Sequence, residues 1–581
     1  MVDLILLHPP SVYDFRKIPA LYGPVSDVVP STQIFEMYPI GFMSLSGYLE
    51  QHGLSVRIVN VALRMLKNRR LDVEQLIRSL NGSAFGLDLH WLVHAQGSLE
   101  LARIVKKCHP HAPVIFGGLS ATYFHQELIR YPQVDYVISG DSAEEPLRQL
   151  LTAIKEGRRP EAVPNLSWKE GGQVNVNDCT HVPADLEQAV FDYRTVMSSS
   201  ARHADLVGHL PFDGWLNYPI VAALCCRGCE HDCLTCGGSA SAFKQVCARS
   251  SPAYRQPERV AQDIGAISRY FNSPIIILGD IRQAGSEYAD RFLLRLQELR
   301  IKNPLALELF APAPLDFFKQ LSQAVPNYNL QISPESHDER IRAACGKHYD
   351  NQSLETTIED ALRCGCRRVD LFFMIGLPYQ TPQSVQETIE YSDRLTDKFG
   401  RSGRLHVYIS PLAPFLDPGS RAFEQPEQHG YRLIHHSLED HRKALLVPSW
   451  KYTLNYETEW MSRDQIVAST YQAAYDLNRL KLKYGILSRR QAQRIEQRIG
   501  REVRIAADID AAMDIDDEQL RQREVESVLS SANLIGHSTV CKKNEMRWPV
   551  RLVGFRIVRV LAQMLTIRRR GAVTHVRPRN V

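Results

Sequence analysis

Arg227-Gly228-Cys229-Glu230-His231-Asp232-Cys233-Leu234-Thr235-Cys236-Gly237-Gly238 decides how the rest of the chain is read. Its cysteines follow the spacing C-x3-C-x2-C. Three thiolates so placed can each take one iron of a cubane [4Fe–4S] cluster, which leaves the fourth iron without a protein ligand. An open coordination position is where a metal site does chemistry. Cys225 and Cys226 lie just upstream, so Cys226-x2-Cys229 and Cys233-x2-Cys236 also read as two CxxC elements. A four-thiolate zinc site usually has a longer insert between its pairs, so that the chain can fold round the metal. Zinc, a cluster with four protein ligands and inert cysteines are the competing readings. The open-iron cluster on Cys229, Cys233 and Cys236 fits the spacing best, with Cys225 and Cys226 as bystanders.

Working outward, short apolar segments alternate with helical ones on both sides of the cysteines. Downstream, strands are expected at Ile220–Leu224, Ile275–Leu278, Ala306–Phe310, Asn329–Ile332, Val369–Met374 and His406–Ile409. Helices such as Pro257–Phe271 and Pro382–Lys398 separate them. Upstream, strands are expected at Leu4–Leu7, Val56–Val59, Ala84–Leu87, Val114–Phe116 and Tyr136–Ile138. Such alternation predicts parallel sheets faced by helices. Ligands of these sheets sit beyond the carboxyl ends of the strands. No GxGxxG follows the first strand, which argues against a dinucleotide. The domains read as an α/β domain over 1–150, a linker over 151–215 with its own strands at Asn165–Trp168 and Gln173–Val176, and a second α/β domain over 216–425. A mostly helical region over 426–545 and a basic tail over 546–581 follow.

The cysteine segment resembles the cluster motif of the radical S-adenosylmethionine (SAM) enzymes. The resemblance implies an incomplete (β/α)6 barrel over 216–425 and a [4Fe–4S] cluster whose open iron is chelated by SAM. It also implies reductive cleavage of SAM to methionine and a 5′-deoxyadenosyl radical, and an electron donor such as flavodoxin or ferredoxin. It points to Gly279 and Asp280 for the SAM amino group, Ser333 and Glu335 for the ribose, and Gly376 for the adenine. Thr235 departs from the family, which usually has an aromatic residue there. The N-terminal segment resembles the Rossmann-like cobalamin-binding domain that precedes the barrel in one large subfamily. His8-Pro9-Pro10, Tyr38-Pro39-Ile40-Gly41-Phe42, Val114-Ile115-Phe116-Gly117-Gly118 and Val134 to Gly140 carry that likeness. It implies corrin contacts from Pro10, Asp88, His90, Gly117, Gly118, Ser120 and Gly140. The D-x-H-x-x-G signature of an axial histidine is absent after the first strand, so neither His90 nor His94 is assigned to cobalt.

In this subfamily the usual reaction is methyl transfer to an unactivated centre. Rearrangement or cyclisation, methylthiolation without corrin, and a non-catalytic zinc- or corrin-binding module are the alternatives. Methylthiotransferases normally carry three further cluster cysteines in their N-terminal domain, where this chain has only Cys108. Composition adds limits. Twelve cysteines in 581 residues do not make a disulfide scaffold, and the N-terminus has no signal-peptide pattern, so a cytoplasmic setting is expected. No apolar run of spanning length occurs. The net charge of +4 belongs to the tail, since residues 546–581 hold nine arginines and no acid. Pro549–Ile567 reads as a basic amphipathic helix, suited to an anionic membrane surface or to docking on its own domain. Nucleic acid is not expected. Tyr452, Tyr456, Trp460, Tyr471 and Tyr475 are candidates to shape a site for a small-molecule or lipid substrate, with core packing as the competing role.

Overall fold

Seven strands form the N-terminal sheet: β1 Val2–His8, β2 Val56–Asn60, β3 Gly82–Asp88, β4 Val114–Gly117, β5 Tyr136–Ile138, β6 Leu166–Glu170 and β7 Gln173–Val176. The structure, a computed structural model, describes residues 2–23, 32–412, 414–530, 545, 547–548 and 554–563. The strand order is β2-β1-β3-β4-β5-β6-β7. The first five are parallel, and β6 and β7 add antiparallel to the edge. The strands expected in the 151–215 segment therefore extend this sheet. Both faces are apolar, one packing Ile5, Leu7, Phe85 and Phe116 and the other Leu4, Leu6, Ala84 and Ile115. This is why the segments read as continuous apolar runs: a parallel sheet is covered on both sides. The chain leaves β1 toward β2 and then returns to the other side of β1 for β3. The carboxyl ends of β1 and β3 thus form the switch point where doubly wound sheets bind ligands.

The second sheet is built from β8 Val221–Leu224, β9 Ile275–Leu278, β10 Leu305–Leu309, β11 Tyr328–Glu335, β12 Arg368–Ile375 and β13 Leu405–Pro411. These six strands pair in chain order, all parallel. β8 and β13 do not pair with each other, so the barrel is open. Helices at Pro257–Ser268, Ser286–Leu299, Leu315–Ala324, Asn351–Arg363 and Pro382–Phe399 cover the outside. Their apolar stripes, such as Val260, Ala261, Ile264 and Ile267, join one large core. Register places Leu278, Glu308, Gln331 and Asp370 in one row facing the opposite way.

The region after the barrel is helical at Leu438–Ala444, Arg463–Lys483, Arg489–Met513 and Glu518–Ser530, with a two-stranded ribbon of Tyr431–Leu433 and Tyr456–Thr458. Ser462 and Ser488 start their helices with reciprocal capping boxes. Of the basic amphipathic helix expected over 549–567, residues 554–563 are described; 557–563 are helical, and Ile557, Val558 and Leu561 are exposed. Trp548 and Phe555 are docked on the barrel. Trp548 is 1% exposed, and its indole N–H donates to Asp370 Oδ2 at 2.9 Å. Phe555 packs on Trp215 and Phe271.

Candidate functional site

The three cysteines lie on the loop that leaves the carboxyl end of β8. Backbone N–H groups of His231 and Gly238 donate to the sulfurs of Cys229 and Cys236 at 3.4 and 3.3 Å. Burial pushes the Cys229 thiol up to about 11 and that of Cys236 up to about 12. Cys233 is also raised by burial, against the pull of the Lys347 ammonium. Iron binds the thiolate, and the amide donors and Lys347 favour that form. Among the described residues no three His, Cys, Asp or Glu side chains converge on one point. Cys225 and Cys226 are buried against Gly279, where a Cβ would meet both sulfurs at 2.9 Å; Cys225 Sγ donates to Leu278 O at 3.0 Å, and Cys226 Sγ faces Gly228 O at 3.8 Å.

The residues expected around SAM stand at the same end of the barrel. β11 carries a bulge between Ile332 and Glu335, and Glu335 adopts φ 65°. Its Oε1 meets Lys347 Nζ at 2.5 Å, while Oε2 is buried without a partner. Lys347 also donates to the carbonyl of Ser333. The Cys345 carbonyl accepts from Leu234 N–H at 3.1 Å, so the Cys345-Gly346-Lys347 turn is stitched to the cluster loop. Nothing in the sequence around Lys347 marks this pairing. At the end of β9, Gly279 N–H donates to Glu308 Oε2 at 3.1 Å. Asp280 faces inward but is engaged within the protein, by the Arg282 guanidinium and by Phe310 N–H at 3.0 Å. At the end of β12, Gly376 has φ 97°. Its N–H donates to Gln380 Oε1 at 2.7 Å, and its carbonyl accepts from Tyr431 OH at 3.0 Å. A Cβ here would lie 2.2 Å from Tyr456 OH. Of the candidate aromatics, Tyr456 thus abuts a strand end of the site. Tyr452 bonds Asp510, Trp460 packs on Tyr379, Tyr471 accepts from Trp450, and Tyr475 bonds Arg479.

At the N-terminal switch point, His8 Nδ1 and Asp88 Oδ1 are 2.9 Å apart, and His8 Nε2 lies 3.0 Å from Phe35 O. Asp88 Oδ2 is buried and has no partner. Burial pushes His90 and His94 down, His94 to about 4. A cavity of about 550 Å³ opens beyond these strand ends. Asp88, His90, Gly117, Gly118 and Gly140 line its near wall. Pro10 and Ser120 are not among its lining residues; Ser120 instead bonds the His90 carbonyl at 3.2 Å. Gly118 has φ 113°, and a Cβ there would meet the His90 backbone at 2.6 Å. The far wall is barrel: Ala222 and Leu224 of β8, Ile276 and Leu278 of β9, and Glu308 of β10. One largely apolar chamber therefore joins the ligand-binding edge of the first domain to the barrel. The chamber, its glycine-lined wall and the partnerless Asp88 oxygen fit a large, flat, amide-bearing group such as a corrin. The partnerless Glu335 oxygen fits a hydroxyl donor such as a ribose.

Comparison with known proteins gives the same two domains. Residues 29–151 match the B12 binding domain and residues 224–392 match the radical SAM superfamily. An uncharacterized methyltransferase of Pyrococcus horikoshii, PH0819, is 21% identical over 431 residues, covering 73% of this chain and 83% of that protein. Two solved structures share the fold. The radical SAM methyltransferase TsrM from Kitasatospora setae, with tryptophan and a SAM analogue bound, superposes with a TM-score of 0.57 at 14% identity, covering 83% of this chain and 89% of its own. The cobalamin-dependent radical enzyme OxsB, with aqua-cobalamin and SAM bound, gives 0.55 at 13% identity, covering 99% and 81%. Fold and site together define a two-cofactor enzyme, with a corrin domain facing an open radical SAM barrel. The chain belongs to the radical SAM superfamily and carries a B12 binding domain ahead of its radical SAM domain.

Proposed function

We propose that this cobalamin-dependent radical SAM enzyme methylates an unactivated centre of a small molecule. The observation that carries the reading is the shared chamber: the corrin-side wall and the barrel wall enclose the same space. When bound, the cluster supplies the electron that cleaves SAM and the corrin supplies the methyl group. Cys229, Cys233 and Cys236 hold the cluster. Lys347 neutralises part of the charge beside Cys233 and offers an ammonium to the SAM carboxylate. Glu335 accepts from the ribose hydroxyls, and Gly279 and Gly376 shape the strand ends around the amino group and adenine. Asp280 acts on the SAM ammonium only if Arg282 yields it. On the corrin side, Asp88, held by His8, accepts from a corrin amide, while His90, Gly117, Gly118 and Gly140 form the surface beneath it, with Pro10 and Ser120 supporting that wall. The chamber's apolar lining excludes water from a radical. The reductant is a flavodoxin- or ferredoxin-like donor.

The test needs no substrate. The anaerobic holoenzyme is given SAM with a deuterated methyl group and a reductant. Transfer of label to the corrin, read by mass spectrometry, supports methylation. 5′-Deoxyadenosine formation without label on the corrin turns the reading to rearrangement or cyclisation.

A further inference from the structure

Two arginines bracket the cysteine loop: Arg227 just before Cys229, and Arg249 beyond the helix Ala240–Cys247 that follows Cys236. Both reach out of the barrel to one turn of the corrin domain, the segment that leaves β5. Arg227 grips Glu144 with both Nη atoms, at 3.0 and 2.5 Å. Arg249 grips Asp141 through Nε and Nη2, at 2.6 and 3.1 Å. Ser142, between the two acids, accepts from both guanidiniums at 3.2 and 3.4 Å. Ser44 adds a hydrogen bond to Glu144 at 2.5 Å, and the Pro183 carbonyl accepts from Arg249 at 2.9 Å. The Glu144 side chain is 1% exposed and that of Arg249 3%. Gly140, Asp141 and Glu144 line the chamber on the corrin side, and Arg227 lines it too.

Paired guanidinium–carboxylate forks are rigid. Pulling either loop away strands a charge in a medium where that is costly. The turn under the corrin and the loop that holds the cluster are therefore tied at both ends of the cysteine segment. We propose that Arg227 and Arg249 are positioning residues that couple the two cofactors: each cofactor, by ordering its own loop, raises the affinity for the other. The inference rests on the two-cofactor reading above. Coupling of this kind is reciprocal by linkage.

The measurement is the dissociation constant of hydroxocobalamin, by visible absorbance under anaerobic conditions, for full-length protein with its cluster reconstituted and with the cluster stripped by chelation. The wild type is expected to bind corrin at least about five-fold more tightly with the cluster in place, the lower end of ordinary allosteric couplings. Arg227→Gln combined with Glu144→Gln removes both charges together, so that neither is left unpaired, and lowers the ratio, with the Arg249–Asp141 fork still in place. Arg249→Lys keeps the charge but loses the fork, and retains a reduced ratio. Far-UV circular dichroism establishes that each variant is folded, and should the double variant unfold, Arg249→Lys decides alone. A wild-type ratio of one, a double variant with the wild-type ratio, or an unchanged ratio in Arg249→Lys overturns the coupling. Wild type that binds corrin with a ratio of one sinks the coupling alone; wild type that binds no corrin in either state sinks the two-cofactor reading and the coupling with it.

Discussion

Gly376→Ala isolates two forces at the strand end beside the proposed SAM site. The residue sits at φ 97°, where an L side chain is strained, at a cost of about 1–3 kcal/mol. Its new methyl would also lie 2.2 Å from Tyr456 OH and 3.1 Å from two ring carbons, overpacking worth about 1–3 kcal/mol. The single variant should lose about 3–4 kcal/mol of stability by urea denaturation, within the sum of those two ranges. Tyr456→Phe alone forfeits the hydroxyl's 2.7 Å bond to the Leu412 carbonyl, about 1 kcal/mol. In the double variant the hydroxyl clash is gone and only the backbone strain and the tight ring contacts remain. The double loss should therefore fall short of the sum of the singles by about 1–2 kcal/mol, a coupling expected of touching groups. SAM affinity should drop in Gly376→Ala and recover in part in the double variant. Strict additivity of the two stability losses would refute the steric argument and place the whole effect in the backbone.

Lys347→Met should weaken SAM binding by about 10–100-fold in calorimetric titration, the value of a hydrogen bond to a charged group; unchanged affinity removes Lys347 from the site. Trp548→Ala should cost about 3–5 kcal/mol of stability, as for other large aromatic truncations, and a loss below about 1 kcal/mol by urea denaturation would show that the tail does not plug the barrel. Burial alone would raise the Glu144 pKa, but the charge and hydrogen bonds of Arg227 hold it below its ordinary 4.5. A carboxylate depressed on folding contributes stability above its unfolded pKa and loses it as pH falls through the folded value. Thermal stability should thus fall below about pH 4.5, and Glu144→Gln should flatten that limb; an identical acid limb in the variant counts against the assignment.

Much of this architecture was legible because both sheets are parallel and buried on both faces. Leu4–Leu7, Phe85–Leu87 and Ile275–Leu278 are uninterrupted apolar runs, and each is a strand. The cysteines were legible because spacing within one loop is itself geometry. Long-range pairing is what the sequence withheld. Lys347 reaches Glu335 across a strand end, His8 reaches Asp88 across 80 residues, and Arg249 reaches Asp141 across 108. Nothing local to any of these residues announces its partner. Asp280 shows the converse: its place after β9 was clear, but the arginine two residues on, which occupies its carboxylate, turned a lone acceptor into an ion pair. For the tail, an amphipathic pattern marks one face as apolar without saying what covers it, and Ile557 and Leu561 of that face are exposed. For Phe555 and Trp548 the covering surface is the barrel itself.

The central claim is that one chain holds both a three-cysteine cluster and a corrin. Anaerobic protein reconstituted with iron, sulfide and hydroxocobalamin tests it by metal analysis and the visible spectrum. The account predicts about four irons per chain, one tightly bound corrin, and 5′-deoxyadenosine on addition of SAM and reductant. Cys229→Ala, Cys233→Ala or Cys236→Ala should each abolish the iron and the deoxyadenosine. One zinc per chain with no iron, or full iron without retained corrin, would contradict it.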